Sequence, residues 1–296
     1  MGKIAVLLST YNGSKYIKSL LNSLFLQTYG DFTIIARDDG SNDNTSEILK
    51  TYSDKIDLLN DNKNYGIKKS FEILLNYALK EGFEYFMFCD QDDVWKEDKV
   101  EISYNAVKNK NIPFLVHTDL EIVDENLKTI DASFWHYQYI NPAKNQLNRL
   151  LMQNTVTGCS MTINKHLAKK ILQIPDGAVM HDWWIALAAS VFGEIKYLNY
   201  STVLYRQHKN NNIGANNLNI KYVLDNLFYT PLQKLFIQAK SFYKIYFDEL
   251  SLNQKILLEE FIDLPNKSFI EKRKTILKYR FLKHGFIRNL GLMVKI

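Results

Sequence analysis

Glu84-Tyr85-Phe86-Met87-Phe88-Cys89-Asp90-Gln91-Asp92-Asp93 decides the fold. Glu84 to Cys89 is a short, mainly apolar run, as expected of a strand buried on both faces. Directly behind it stand three carboxylates. The same design recurs upstream. Ile4 to Ser9 reads as a strand and runs into the polar Ser9-Thr10-Tyr11-Asn12, and Phe32 to Ala36 is followed by Asp38-Asp39-Gly40-Ser41. Between these two strands, Tyr16, Ile17, Leu20, Leu21, Leu24 and Phe25 recur at three- and four-residue spacing, one stripe of an amphipathic helix. Asp43 to Tyr52 reads as a helix with Asp43 or Asn44 near its N-cap. A short strand at Ile56 to Leu59 follows, then a helix from Ile67 to Lys80 with Phe71, Leu74, Leu75 and Ala78 inward.

Such alternation with short connections predicts an α/β fold: a Rossmann-like, mostly parallel sheet with helices on both faces. Ligands of such sheets bind in the crevice beyond the carboxyl ends of the strands, and all three polar clusters fall on that rim. From Asn217 onward the pattern is helical only, near 222–228, 232–247, 254–262 and 269–292, with breaks at Pro231, Pro265 and Gly285. A boundary is expected within 214–219, dividing residues 1–215 from a basic C-terminal helical region, 216–296.

The 296 residues are 46% hydrophobic and 23% charged with 12 Gly and 5 Pro, which excludes collagenous, mucin-like and largely disordered chains. Cys89 and Cys159 are expected to be free buried thiols in a reducing compartment. No run approaches the roughly 18 apolar residues of a membrane-crossing helix, and Met1-Gly2-Lys3 leads straight into a strand, so the expected location is the cytoplasm. The net charge of +5 is uneven: residues 221–296 carry 14 Lys/Arg against 7 Asp/Glu, and no acid follows Glu271. A basic tail is either a solvated helical face or an attraction to something anionic. A stripe of Tyr279, Leu282, Phe286, Leu290 and Met293, flanked by Lys278, Lys283 and Arg288, suits a packing seam or peripheral contact with the inner membrane face.

There is no G-x-G-x-x-G after the first strand and no G-x-x-x-x-G-K-[ST], which disfavours dinucleotide oxidoreductases and P-loop NTPases. G-x-S-x-G, H-E-x-x-H and C-x-x-C are absent too. What remains is carboxylates. Clustered acids at a dry strand end are costly unless a cation neutralises them, and hard oxygen ligands suit Mg²⁺ or Mn²⁺. A lone D-x-D is also common in solvated turns. The Asp38–Thr45 segment either accepts a pyrimidine imide N–H or simply builds a turn and helix cap. Asp182, heading the apolar helix Ile185 to Phe192, is a cap or a base whose pKa Trp183 and Trp184 raise. Trp95 and Trp183 offer sugar-stacking faces or core rings. His117, His136 and His166 read as structural.

Ser9-Thr10-Tyr11-Asn12-Gly13, Gln27-Thr28-Tyr29, Asp38-Asp39-Gly40-Ser41 and Asp90-Gln91-Asp92-Asp93-Val94-Trp95 together resemble the inverting family 2 glycosyltransferases of GT-A fold. His181-Asp182-Trp183-Trp184 and Tyr205-Arg206-Gln207-His208 resemble its branch of bacterial rhamnosyltransferases that build O-antigen, capsule and rhamnan chains. The likeness runs over about residues 3–215. It implies a nucleotide-sugar donor as co-substrate and a divalent cofactor, Mn²⁺ or Mg²⁺. By position it implies that Thr10 and Tyr11 flank the base and that Asp39 bonds its imide. Asp92 would ligate the metal, with Asp90 beside it nearer the ribose, Asp93 behind, and His208 completing the shell. Gly66 and Lys69 would border the donor. Asp182 would be the catalytic base, and Arg206 is expected to close over the diphosphate.

The reaction so implied is a single displacement with inversion, from dTDP-L-rhamnose or a UDP-hexose to a growing cell-surface polysaccharide or lipid-linked oligosaccharide. Two rival classes are weighed. A sugar nucleotidyltransferase would carry a Gly-rich basic loop after the first strand, where Ser9 to Lys15 holds only Gly13 and one Lys. A non-catalytic glycan-binding protein would keep the fold without turnover. A nucleic-acid partner is not expected, because the basic residues do not interleave with a reading motif.

Overall fold

Ile4–Thr10 (β1), Thr33–Asp38 (β2), Asp57–Leu59 (β3) and Tyr85–Asp90 (β4) are strands in the computed structural model, which describes residues 2–59, 61, 63–208 and 232–296. They pair in parallel in the order β3-β2-β1-β4. The connecting helices are α1 (Ile17–Phe25), α2 (Thr45–Lys50) and α3 (Ile67–Lys80). The two-residue period of a strand sorts the core. Ile4, Val6 and Leu8 of β1 face the α1 side with Leu20, Leu21 and Leu24, whereas Ala5 and Leu7 face the α3 side with Phe71, Leu74 and Leu75. Both faces are covered, which is why the strands read as unbroken apolar runs.

Beyond β4 the chain makes β5 (Val94–Trp95), α4 (Lys99–Val107), β6 (Phe114–Val123) and β7 (Thr129–Asp131). The short turns α5 (Phe134–Tyr137) and α6 (Leu147–Leu150) lead into β8 (Met161–Asn164), α7 (Lys165–Ala168), α8 (His181–Phe192) and β9 (Glu194–Arg206). The sheet continues β4-β8-β6-β9-β5, with β7 beside β6. It is parallel through its first four strands and mixed beyond, because β8 runs antiparallel to both β4 and β6. β8 therefore starts at the rim where β1, β2, β4 and β6 end. The Gly158–Ser160 turn before it is carried up to the carboxylates.

The tail is helical: α9 (Leu232–Tyr246), α10 (Leu252–Ile262), α11 (Phe269–Tyr279) and α12 (Phe286–Lys295). Capping boxes at Ser251/Gln254 and Ser268/Glu271 start α10 and α11. Left-handed Arg280 ends α11, and Gly285, at φ 80°, sits at the head of α12. Among the described residues the tail has no separate core: Leu235, Phe242, Phe261 and Phe281 pack in the same cluster as Trp184, Ile185 and Phe71, and the Trp184 and Phe242 rings lie 5.2 Å apart. The helix expected at 222–228 and the boundary at 214–219 lie outside the described residues. Cys89 and Cys159 are free and buried.

Gly193 closes α8 against the chain entering β6. A Cβ there would lie 1.7 Å from the Pro113 carbonyl oxygen, and the Glu194 amide donates to that same oxygen over 3.1 Å. Backbone cannot yield as a side chain would. Gly193→Ala is expected to cost about 2–4 kcal/mol, roughly 5–10 °C in Tm. Gly30→Ala, with nothing within 4 Å of the new methyl, should leave Tm in place in the same thermal melt.

Candidate active site

Register builds the rim. Thr10 pairs with Asp38 across β1 and β2, and Ser9 pairs with Asp90 across β1 and β4. Neighbouring strands lie about 4.8 Å apart, so the three polar clusters share one edge. The strand order reverses between β1 and β4, which opens the ligand crevice of this sheet type there. The loops after β1 and β2 are laced together: Asn12 N–H donates to Ser41 Oγ (2.9 Å), Asn42 N–H to Asn12 Oδ1 (2.8 Å), and Gly13 N–H to Thr45 Oγ1 (2.8 Å). Gln91 ties them to β4. Its Oε1 accepts from Tyr11 N–H at 2.7 Å and its Nε2 donates to Tyr11 O at 2.9 Å. Gly13 leaves room for that amide, since a Cβ would stand 2.2 Å from Gln91 Oε1. The Tyr11 ring is exposed on the rim.

Thr10 and Asp39 form the wall of this region. Thr10 is buried and donates to Asp38 Oδ1 at 2.9 Å. Asp39 is 3% exposed and accepts from the Arg37 guanidinium, from Tyr65 N–H (2.9 Å) and from Gly66 N–H (2.8 Å). Instead of the free carboxylate expected to meet a base, it tethers the loop ahead of α3. Buried Arg37 does the same through Asp61 (2.9 Å), Ser70 Oγ (3.1 Å) and Lys63 O (2.8 Å). Gly66, at φ 82°, heads α3. The Lys69 ammonium, expected beside the donor, pairs with Glu72 one turn along.

The acidic run lies where β4 meets β9. His208 Nε2 and Asp92 Oδ2 are 2.8 Å apart, and the Tyr16 ring braces the imidazole at 4.9 Å. Burial, then the charges of Asp92 and Asp182, push Asp90 up to about 7. Asp182 thus faces the D-x-D across the crevice. Asp93 is fully buried: its Oδ1 accepts from Arg206 N–H (3.1 Å) and its Oδ2 has no hydrogen-bond partner among the described residues. Burial, then Asp92 and Asp90, raise its pKa strongly. One ligand atom each from Asp90, Asp93 and Cys159 lies within 4.8 Å of the others. Burial raises the pKa of the Cys159 thiol, which bonds Asp93. Carboxylates and an imidazole form a hard donor set suited to Mn²⁺ or Mg²⁺. Crowded like charge with an orphaned oxygen behind it is the environment that such an ion relieves.

Asp182 is the second residue of α8, not its cap, which is Met180. Its Oδ1 accepts from Trp183 N–H at 2.6 Å, and Gly158 N–H also bonds the carboxylate. Burial outweighs these bonds and lifts Asp182 to about 7. His181 packs against Phe71, ring centroids 4.2 Å apart, and burial pushes it down to about 3, so it is neutral. A Cβ on Gly158 would meet His181 Nε2 at 2.9 Å.

Two expected contacts, those of Trp95 and Arg206, are corrected. Trp95 is 2% exposed beneath the Lys99 ammonium (4.4 Å from its ring), so it is core and offers no face to a sugar. Trp183 is half-buried, with Nε1 donating to Leu150 O at 2.6 Å. Arg206 is a buried strut: Nε donates to Asp92 O (2.8 Å) and NH1 to Glu125 O (2.6 Å), with its guanidinium over Tyr16. It fixes the Asp92 loop instead of closing over a diphosphate. Of the histidines read as structural, His117 is buried against Trp135, and His136 is exposed beside Asp131. Sequence reading passed over Gln91, Arg37, Tyr16, Gly158 and Lys99. Only Gln91, inside the acidic run, carried a local signal.

Comparisons with known proteins bear on the family and the fold. The family model described as glycosyl transferase family 2 matches residues 5–171. The chain is 30% identical over 223 residues to the dTDP-rhamnosyl transferase RfbG of Shigella flexneri, covering 71% of this chain and 74% of the relative. It is 29% identical over 157 residues to the Escherichia coli UDP-Glc:alpha-D-GlcNAc-diphosphoundecaprenol beta-1,3-glucosyltransferase WfgD, covering 53% and 57%. Among solved structures, Staphylococcus aureus TarS 1–349 in complex with UDP-GlcNAc superposes with a TM-score of 0.62 at 16% identity, over 100% of this chain and 76% of that one. The mannosyltransferase PcManGT of Pyrobaculum calidifontis, in complex with GDP-Man and Mn²⁺, gives 0.53 at 14%, over 99% and 88%. The mixed sheet, its acidic rim and these matches together make the chain a GT-A-fold member of glycosyl transferase family 2.

Proposed function

We propose that the protein transfers a sugar, with inversion, from a nucleoside diphosphate donor to a hydroxyl of a lipid-linked glycan or growing cell-surface polysaccharide. One observation carries the reading: register sets the β1, β2 and β4 ends, with Thr10, Asp38 and Asp90, on one edge, and the Asp182 charge reaches Asp90 there. The crevice between them has a base on one wall and an acidic cation site on the other. RfbG supports L-rhamnose from dTDP-rhamnose as the donor. WfgD and TarS support a UDP-hexose as the second reading. The diphosphoundecaprenol acceptor in the name of WfgD supports a lipid-linked acceptor here.

Tyr11 offers its ring to the nucleotide base, and the loop held by Asp39 and Arg37 walls the other side. Asp92, Asp90 and His208 would hold Mn²⁺ or Mg²⁺. When bound, the ion supplies charge stabilisation for a diphosphate leaving group. Asp182 takes the proton of the acceptor hydroxyl as that oxygen bonds the anomeric carbon. The bond from that carbon to the diphosphate oxygen breaks on the opposite face, and the leaving group keeps the electron pair. By analogy with inverting glycosidases, no covalent enzyme intermediate is needed. The Trp183 and Gly158 amides keep the Asp182 carboxylate aimed.

Removing a general base typically costs about 10²–10⁴-fold. Asp182→Asn should therefore lose at least a hundredfold in kcat while binding donor as wild type does; near-normal transfer in a coupled assay would sink the assignment. Because the base acts ionised, log(kcat/KM) should fall about one unit per pH unit below roughly pH 7, and a profile flat down to about pH 5.5 would speak against it. The raised Asp90 pKa fixes a third sign. Protons occupy that carboxyl below about 7, so Mn²⁺ must displace them there. The Mn²⁺-induced rise in Tm should be larger at pH 8 than at pH 6, and lost in Asp92→Ala. An equal rise at both pH values, or one unchanged in the mutant, would remove the metal from this site.

A further inference from the structure

We infer that α12, with the neighbouring face of α11, is a docking surface for an anionic lipid bilayer. Phe286, Ile287, Leu290 and Val294 are between 52% and 82% exposed. At 100° per residue, these four positions fall within an arc of about 100°. The rest of its circumference holds the helix to the fold. Leu292 is buried, Met293 packs on the core, and Arg288 NH1 donates to Gln138 O at 2.8 Å. The stripe foreseen from sequence is therefore split: Tyr279, Leu282 and Met293 pack inward, whereas Phe286 and Leu290 face out beside Ile287 and Val294.

α11 extends the patch. Phe269, Ile270 and Leu277 are exposed on one side of it. Arg273, on that same side, lies over the Phe269 ring and donates to the Met293 carbonyl, which joins the two helices.

Charge selects the occupant. Residues 272–296 contain eight Lys or Arg and no Asp or Glu. Lys274 and Lys278 share a hollow with Glu260, Asp263 and Glu271, yet the segment keeps a net excess of cations, and an apolar face with that excess matches an anionic headgroup layer over an acyl boundary. A second copy of this chain would bring two such sets of like charge together, so self-association is disfavoured.

The surface also bears on the reaction. Asn148 Nδ2 donates to Tyr279 O (2.9 Å) and Arg149 NH2 to Lys283 O (2.9 Å), while Leu150 O in the same segment receives Trp183 Nε1. A bilayer held by α12 would thus be coupled through residues 148–150 to the neighbour of Asp182. The inference rests on the proposed reaction for its purpose only, because the surface binds lipid whether or not transfer is confirmed.

The test is flotation of the full chain with phosphatidylcholine vesicles, with and without phosphatidylglycerol. The wild type should float with the phosphatidylglycerol vesicles and bind the neutral ones at least about tenfold less. Phe286→Glu/Leu290→Glu should reduce binding to anionic vesicles by about tenfold or more, with unchanged Tm and unchanged slow hydrolysis of the donor. Should that variant fail to fold, Lys274→Glu/Lys278→Glu on exposed α11 positions gives the same readout. Absence of flotation with anionic vesicles, or equal flotation of wild type and folded variant, overturns the inference. So does a concentration-dependent dimer that the same substitutions disperse, which would assign the face to a second copy. Loss of flotation with transfer intact would strike the surface alone, and flotation without transfer would strike the reaction alone.

Discussion

Mutual repulsion of the carboxylates at the end of β4 is the constraint around which the site is arranged. Asp90, Asp92 and Asp93 cannot all be ionised in a dry setting without an opposing charge. The protein spreads the load. Asp92 turns to His208, Asp93 is sunk against the Arg206 amide and the Cys159 thiol, and Asp90 is left near neutrality. Lys99 stands below them, fully buried, with burial drawing its ammonium down to about 8. The proposed cation would therefore complete a balance the polypeptide leaves open.

The mixed half of the sheet brings the partners in. β8 starts at the rim, so the Gly158–Ser160 turn lands beside Asp182, and β9, parallel to β6, delivers Arg206 and His208 to the same edge. Asp182 arrives on α8, whose apolar body is anchored in the shared core through Trp184. Carboxylates some ninety residues apart in the chain thus meet because of how the strands are ordered. The surrounding contacts fix where each one points.

Much of this was legible in the residues. The first four strands and α3 followed from apolar runs and from helical spacing, with α3 matched at both ends, because each segment's periodicity agrees with its burial. The acidic rim followed from the same logic. β5 to β8 were not legible. β6 buries the polar His117, Thr118 and Asp119, which blunts the strand pattern, and β8 is only four residues long. Individual side chains were less predictable than the site they surround. Asp39, Arg206 and Trp95 carry the right chemistry for ligand contact, yet nearby partners engage them first: Arg37, the Asp92 carbonyl and Lys99. Such competition is set by tertiary neighbours that local sequence does not name.

The Gln91 amide is flanked in sequence by Asp90 and Asp92, yet both of its ends grip the Tyr11 backbone. The loop after β1, proposed to meet a nucleobase, and the loop after β4, proposed to meet a cation, are consequently one mechanical unit. Ordering either one draws on the same conformational entropy, so whichever ligand arrives first lessens what the other must give up. On the proposed function, one uncharged side chain would couple nucleotide and ion.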